Sequence, residues 1–511
     1  MTKAAEAKLK AAAKKKAAAS KKKKKGDDDE DFEDEEEEDA YTALSKSAYT
    51  TRSGGKKPPV GGFENCARCG KQFTVTKYTM AAEPGPGYLC HPCAKSSGTD
   101  PFKKPALPRK RKTPADKRKV VNIEERSFPT LVTICIDVVA RHIDDVEAFG
   151  DIGALNLEAI SKALSKNRSL TSENAPLFYS AEQTKLAMYD ATNLTPDAFI
   201  ALGNLNPNLT SLRLDFCGPL NDTVMAAWST SLPHLVSLEL LGPFLVREAA
   251  WIAFFDAHPK MEAFLITQSP RFSLECLRTL VSGSKSTLRR LGLREVGKLC
   301  DEFLELIKEV DGLEYLDIAE PEGESCSDEA VIELLEVVGG GLTHLDLSGQ
   351  AALTDEVLTR GIAPHAHASL AVLKLTHLPE LTDAGVAAFF GELENPGLVS
   401  LDLSRNPELG TAALQAVLGH SGATLQHLNI NGWKDVGVDA LNLLAEAREL
   451  RTLDVGWCRS VDDFVVKGVL EGCRALEEVN VWGCNRVEGK WEKTTRRRGV
   501  KVHGIESQTV L

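Results

Sequence analysis

Residues 342–358 read LTHLDLSGQAALTDEVL, and residues 398–414 read LVSLDLSRNPELGTAAL. Each places an apolar residue, two variable ones, an apolar residue, one variable and a third apolar: Leu342, Leu345 and Leu347 in the first, Leu398, Leu401 and Leu403 in the second. The last two of each trio alternate as a strand does, so they point into one core. Downstream, Thr354-Asp355 has the chemistry of a helix start and apolar residues then recur at helical spacing; LTDAGVAAFF at 381–390 repeats the signal with Thr382-Asp383. A short strand and a returning helix cannot bury their apolar faces alone, so each unit needs copies of itself as neighbours.

Eleven units are legible, opening at Leu209, Leu235, Met261, Leu288, Leu313, Leu342, Leu370, Leu398, Leu425, Leu450 and Leu476, with a period of 25 to 29 residues. This motif at this period is the leucine-rich repeat. The expected fold is therefore an α/β solenoid, a horseshoe of about 11 or 12 repeats over residues 183–503, its parallel strands about 4.8 Å apart in a curved sheet on the order of 50 Å long. Three residues past the strand, where a small polar side chain bonds the loop backbone, stand Cys217, Asn406, Cys458 and Cys484; the other units carry Pro, Ser, Val, Gln, Leu or Trp there. The middle exposed position of the strands is acidic at Glu239, Asp317, Asp346, Asp402 and Asp454 and basic at Arg213 and Lys374. A concave protein-binding face centred on Asp317, Asp346, Asp402 and Asp454 is expected to suit a basic or mixed protein surface and to repel duplex DNA. Trp457 and Trp482 neighbour that lane, either as anchors for a partner or as covers for the last coil.

The chain has 511 residues and a net charge of −12, but the charge is divided. Residues 1–120 hold 28 Lys/Arg and 17 Asp/Glu, a balance of +11, which leaves −23 for the rest. Residues 1–60 open with a Lys/Ala stretch and continue into DDDEDFEDEEEED at 27–39; such a tail buries too little apolar surface to fold. No secretory signal and no membrane span are expected, so the 12 cysteines read as reduced thiols. Four fall in 61–100 as Cys66-x-x-Cys69 and Cys90-x-x-Cys93, two knuckles that each offer two thiolates to a tetrahedral metal. Structural Zn2+ is the leading reading, ahead of iron–sulfur or redox use, with His91 a bystander or a competing ligand. Over 101–125 a Pro-interrupted linker carries Arg109, Lys110, Arg111, Lys112, Lys117, Arg118 and Lys119, the chemistry of a nuclear-import signal, of a phosphate-binding patch, or of both. Residues 126–182 turn apolar and helical and are expected to cap the first repeat; 504–511 reads as a C-terminal tail.

Within the cap, Thr130-Leu131-x-x-x-Cys135-x-x-x-Val139 resembles the box by which ubiquitin-ligase receptors grip elongin C. Its apolar residues at intervals of four stack on one helix face and form a ridge. The order of tail, ENCARCGKQF knuckle, PRKRK stretch, ERSFPTLVTICIDVVARHI box and repeats is similar to that of the fungal radiation-sensitivity leucine-rich-repeat proteins of global-genome nucleotide-excision repair. That resemblance implies a nucleus-located partner of a Swi/Snf-type ATPase that recognises damaged DNA in chromatin, joined through elongin C to a cullin-type ubiquitin ligase.

The expected function is a non-catalytic adaptor: zinc module and basic stretch toward DNA or the ATPase, Leu131, Cys135 and Val139 toward elongin C, horseshoe toward the substrate. An F-box-like repeat receptor unrelated to DNA repair, using another linker protein, is the alternative. An enzyme is the third reading, and against it stand the missing Gly-rich phosphate loop, nucleophile elbow and three-ligand metal site. No small-molecule substrate and no membrane partner are expected. The histidines are scattered, and Cys276, Cys300, Cys326 and Cys473 read as core fillers.

Overall fold

The structure, a computed structural model, describes residues 58–82, 85–97, 119–123, 128–323, 325–366, 368–491 and 499–507. Residues 1–57 of the expected tail 1–60 and the basic residues Arg109 to Arg118 lie outside the described residues. The chain divides into two compact units, residues 1–111 and 112–511.

In the first unit two antiparallel hairpins, Phe63–Asn65 with Gln72–Thr74 and Met80–Ala81 with Tyr88–Leu89, precede a short helix, His91–Ser96. Gly70, at φ 69°, lets the first knuckle turn and donate its N–H to the Cys66 carbonyl at 2.9 Å.

In the second unit one sheet holds fourteen strands. Thirteen run parallel in chain order from Lys185–Met188 to Lys501–Ser507, each followed, up to the last, by a returning segment that is helical in most coils. Leu345 pairs in register with Leu316 and Leu373, and Leu401 with Leu373 and Leu428. Leu342 and Leu398 take equivalent inward sites, fully buried, so the repeat frame is the frame of the core. The helix after Thr354 contains a π-turn, Val357–Ile362; Pro364 just beyond lacks the N–H that a regular α-helix needs there.

Three strands carry no legible repeat. Lys185–Met188 and Lys501–Ser507 occupy the strand position, but Gln183 and Gly499 stand where the leading leucine would be. Lys119–Ile123, expected in the basic linker, pairs antiparallel with Lys501–Ser507 at the outer edge of the sheet, and the expected tail from 504 is a strand as far as Ser507. Val502 and Ile505 are buried there, and the Gly504 N–H donates to the Asn122 side chain at 2.9 Å. A solenoid's last coil exposes an apolar end, and this pair of strands covers it. At the other end Ile143, Ile160 and Leu164 are buried in the same core, from the turn after helix Leu131–Arg141 and from helix Ala154–Asn167.

Two ladders tie successive coils. In the first, Asn406 donates to the Leu375 and Leu403 carbonyls at 2.8 and 3.0 Å and accepts from Leu378 N–H. Cys458 and Cys484 donate to Ile430 and Val455 of the preceding coil, and Cys217 to Leu241 of the next. Gln350 and Trp433 fill the same site with different chemistry and bond Ile318 and Leu403 at 2.7 and 2.8 Å. In the second, the aspartate that follows a helix-start hydroxyl reaches the next coil: Asp328, after Ser327, accepts from the N–H and hydroxyl of Thr354, and Asp355, after Thr354, does the same for Thr382. The helix-start motif is thus an inter-coil clamp as well.

Candidate functional site

The four cysteine sulfurs of the first unit lie within 4.8 Å of one another. Two come from the knuckle between strands; Cys90 caps the short helix and Cys93 lies inside it. The Cys90 N–H donates to the Cys66 sulfur at 3.3 Å, and the Cys69 and Cys90 sulfurs approach to 3.7 Å. That N–H is the main reason the Cys66 thiol is lowered to about 6, while the neighbouring sulfurs of Cys90 and then Cys69 push Cys93 up to about 12. Four thiolates this close repel one another, and a divalent cation is what lets all four ionise. A closed four-sulfur set with two ligands from a knuckle and two from a helix start fits structural zinc. His91 is not a member of that set.

Helix Leu131–Arg141 is opened by Thr130, whose hydroxyl accepts from Thr133 N–H at 3.2 Å. One face is turned to the core through Ile136, Val139 and Ala140. The other leaves Leu131, 76% exposed, together with Phe128, Val132, Cys135 and Val138 in water. Of the expected trio, Leu131 and Cys135 are on the open face, and Val139 is half-buried against the core. Phe128, Val132 and Val138 belong to the ridge as well, and the elongin-type motif, which is defined at intervals of four, does not contain them.

The first unit matches the family described as the DNA repair protein rhp7 treble clef domain over residues 60–99. DNA repair protein rhp7 of Schizosaccharomyces pombe is 35% identical over 434 residues, which span 84% of this chain and 76% of that protein. DNA repair protein RAD7 of Saccharomyces cerevisiae is 30% identical over 424 residues, 79% of this chain and 74% of that protein. The chain belongs to the rhp7/RAD7 family of DNA repair proteins. Among solved structures, the yeast complex of Rad7 and Elc1 is similar with a TM-score of 0.64 at 29% identity, covering 74% of this chain and 98% of that one.

In this rhp7/RAD7-family chain the concave acidic lane differs from the sequence expectation. Asp346 is fully buried and Asp317 nearly so. Arg294 reaches Asp346 at 3.1 Å and Asp317 at 3.6 Å, and Lys374 reaches Asp346 at 3.5 Å. Arg213 pairs with Glu239 at 2.9 Å. Asp402 and Asp454 accept the N–H two residues ahead, from Ser404 and Gly456, and side-chain amides from Asn429 and Asn480. The carboxylates close each strand's turn and are matched by donors of adjacent coils, so they present no free acidic stripe. A sequence reading counts charges; it does not see that lane neighbours in successive coils pair with one another.

Cys217, Cys276, Cys326, Cys458, Cys473 and Cys484 are buried and Cys300 is half-buried. Burial holds Cys217, Cys326 and Cys458 up to about 12, so these thiols are neutral and unreactive. Among the described residues no helix is long and apolar enough to cross a membrane.

Proposed function

We propose that this chain is a non-catalytic adaptor of nucleotide-excision repair that links damaged chromatin to a cullin–elongin ubiquitin ligase in the nucleus. The observation that carries the reading is the apolar face of helix Leu131–Arg141. Leu131, Val132 and Val138, with Phe128 just before them, are exposed together on this one helix and its entry, whereas the unit's other exposed large apolar side chains are distributed over many coils. Covering one such side chain is worth roughly 1.5–3 kcal/mol, so a helix that keeps several in water is suited to a partner's groove. The relative solved in complex carries Elc1, an elongin C, and elongin C is the partner we assign to this face. The zinc module and the basic stretch 103–119 would face DNA, chromatin or the Swi/Snf-type ATPase and direct the chain to the nucleus. The cullin would join through elongin C, and the solenoid would receive the protein to be ubiquitylated.

Replacing Leu131 and Cys135 together by Asp is expected to abolish co-purification of elongin C with the full chain and to leave its thermal midpoint within about 1 °C, since neither side chain packs inside. Undiminished recovery of elongin C would remove the ligase arm. Recovery of a different linker protein on the same face would favour the F-box-like receptor.

A further inference from the structure

Eleven successive coils, from strand Ser211–Leu214 to strand Glu478–Asn480, turn out of their strands through one residue in the left-handed backbone region, and these residues stand in register along one rim of the solenoid. Glycine takes the position at Gly242, Gly349, Gly432 and Gly483, as the conformation favours. Trp457 takes it with φ 62°, a strained setting for a bulky side chain. The indole does not repay the strain by burial, because it is 63% exposed. It lies over Gly483, where an added Cβ would fall 2.6 Å from Cδ2. Trp482 follows on the next coil, its carbonyl accepting the Trp457 N–H at 2.6 Å; it is 44% exposed and rests against Gly504 in the same manner. Two indoles are thus each backed by glycine and open to solvent. The C-terminal end of the core, which they were a candidate to cover, is closed by the strands Lys119–Ile123 and Lys501–Ser507 instead.

The charge of the rim changes along its length. In the middle coils the left-handed residues are Glu295 and Glu320. In the last four, the turns carry one exposed cation each, Arg405, Lys434, Arg459 and Arg486, and among the described residues none of these side chains is in an ion pair or a hydrogen bond. Glu408, Asp435 and Glu488 are exposed acids on the same turns, the last of them paired with Lys490 at 2.7 Å. The Arg405 N–H bonds the Asn431 carbonyl and the Gly432 N–H the Gly456 carbonyl, so cations and indoles sit on one continuous row of turns.

We propose that this end of the rim binds unpaired nucleic acid, with bases stacked on Trp457 and Trp482 and the phosphates running past Arg405, Lys434, Arg459 and Arg486. Exposed flat rings next to spaced, unpaired cations match a strand whose bases are free to stack. A duplex keeps its bases stacked on each other, and an acidic polypeptide would use the cations but has no need of two open indole faces. The proposal goes beyond the reading above, which assigns DNA to the zinc module and the basic stretch, and it is read out separately from elongin C capture.

The test is intrinsic tryptophan fluorescence of the zinc-loaded full chain during titration with a twelve-nucleotide oligo(dT) and with a duplex of equal length. All six tryptophans lie beyond residue 227, and apart from Trp457 and Trp482 they are buried, so quenching reports contact at or beside these two indoles, and Trp457→Gly separates stacking on the rim from strand held by the basic stretch ahead of Lys119. Saturable quenching by the single strand is expected, with at least tenfold weaker quenching affinity for the duplex. Trp457→Gly should weaken single-strand affinity about fivefold or more without lowering the thermal midpoint, because glycine relieves the backbone strain. The double variant Arg459→Ala/Arg486→Ala should reduce the slope of log affinity against log salt by about 0.7 for each cation removed. Binding of a labelled strand with no quenching, equal quenching by the duplex, or quenching by poly-glutamate as strong as by oligo(dT) would each overturn the assignment.

Discussion

Within residues 58–97 the buried apolar residues are Cys66, Val75, Cys90 and Ala94, and two of them are thiol members of the metal set. From Ala140 to Ile505, by contrast, one continuous core runs through all thirteen parallel strands and includes Trp228, Trp251, Trp433 and a cluster of Phe254, Phe255, Phe264 and Phe272. The two units therefore hold together on different physical scales. In the first, the free energy of folding is concentrated in one ion and its four ligands; in the second it is spread over many contacts between neighbouring coils. A single chemical change should erase the first and be felt locally in the second.

Chelation is the largest effect to expect. A four-sulfur zinc site contributes roughly 10–16 kcal/mol of binding free energy to a domain of this size, more than a module with so small a core can replace. Treating the full chain with a strong zinc chelator should strip hydrogen-exchange protection from residues 58–97 and leave protection in the strands between 185 and 480 unchanged. If the repeats lost protection in parallel, the two units would not be energetically separate.

Inside the solenoid the ladder offers a graded contrast. Asn406→Ala removes a fully buried side chain with three hydrogen bonds and strands the Leu378 N–H and the Leu375 carbonyl, while the Leu403 carbonyl keeps its bond from the Trp433 indole. The expected loss is about 3 kcal/mol. Cys458→Ala removes one 3.4 Å sulfur contact and some packing, with a loss nearer about 1 kcal/mol. Denaturant melts of the two variants would measure the difference; equal losses would mean that the site is valued for its volume and not for its polar bonds.

The solenoid was legible because its core is periodic: Leu345 and Leu401 are inward for the same reason, and the spacing announces it. The zinc set was legible because two C-x-x-C knuckles leave few other uses for four thiols. What escaped was aperiodic or depended on three-dimensional pairing. Lys119–Ile123 forms a strand because the far end of the sheet offers it a partner at Lys501–Ser507, more than 370 positions away. Phe128, Val132 and Val138 join the exposed ridge of helix Leu131–Arg141, which a motif defined at intervals of four does not contain. The acidic lane looked like a binding surface because each aspartate was read alone, whereas Arg294 and Lys374 arrive from other coils to meet Asp346.

That lane supplies the smallest and most directional effect. Burial, and then the neighbouring Asp346, push Asp317 up to about 6 from its ordinary 3.8. Between about pH 4 and pH 6 the folded chain thus keeps a proton that the unfolded chain has released. This group's contribution to stability therefore falls as pH rises through that window and is least favourable above it. Asp317→Asn keeps an oxygen for the Ala319 N–H, which Asp317 accepts at 3.1 Å, and leaves Arg294 its shorter contact with Asp346. Thermal melts should find the variant more stable than the parent by on the order of 1–2 kcal/mol at pH 7.5, with the gain shrinking toward zero below about pH 4. His344 is lowered from 6.5 to about 4 by burial and gives the opposite slope across that same range, but it is present in both chains and largely cancels in their difference. A variant that is less stable than the parent at pH 7.5 would mean that the 3.6 Å approach of Arg294 to Asp317 outweighs the cost of burying the charge.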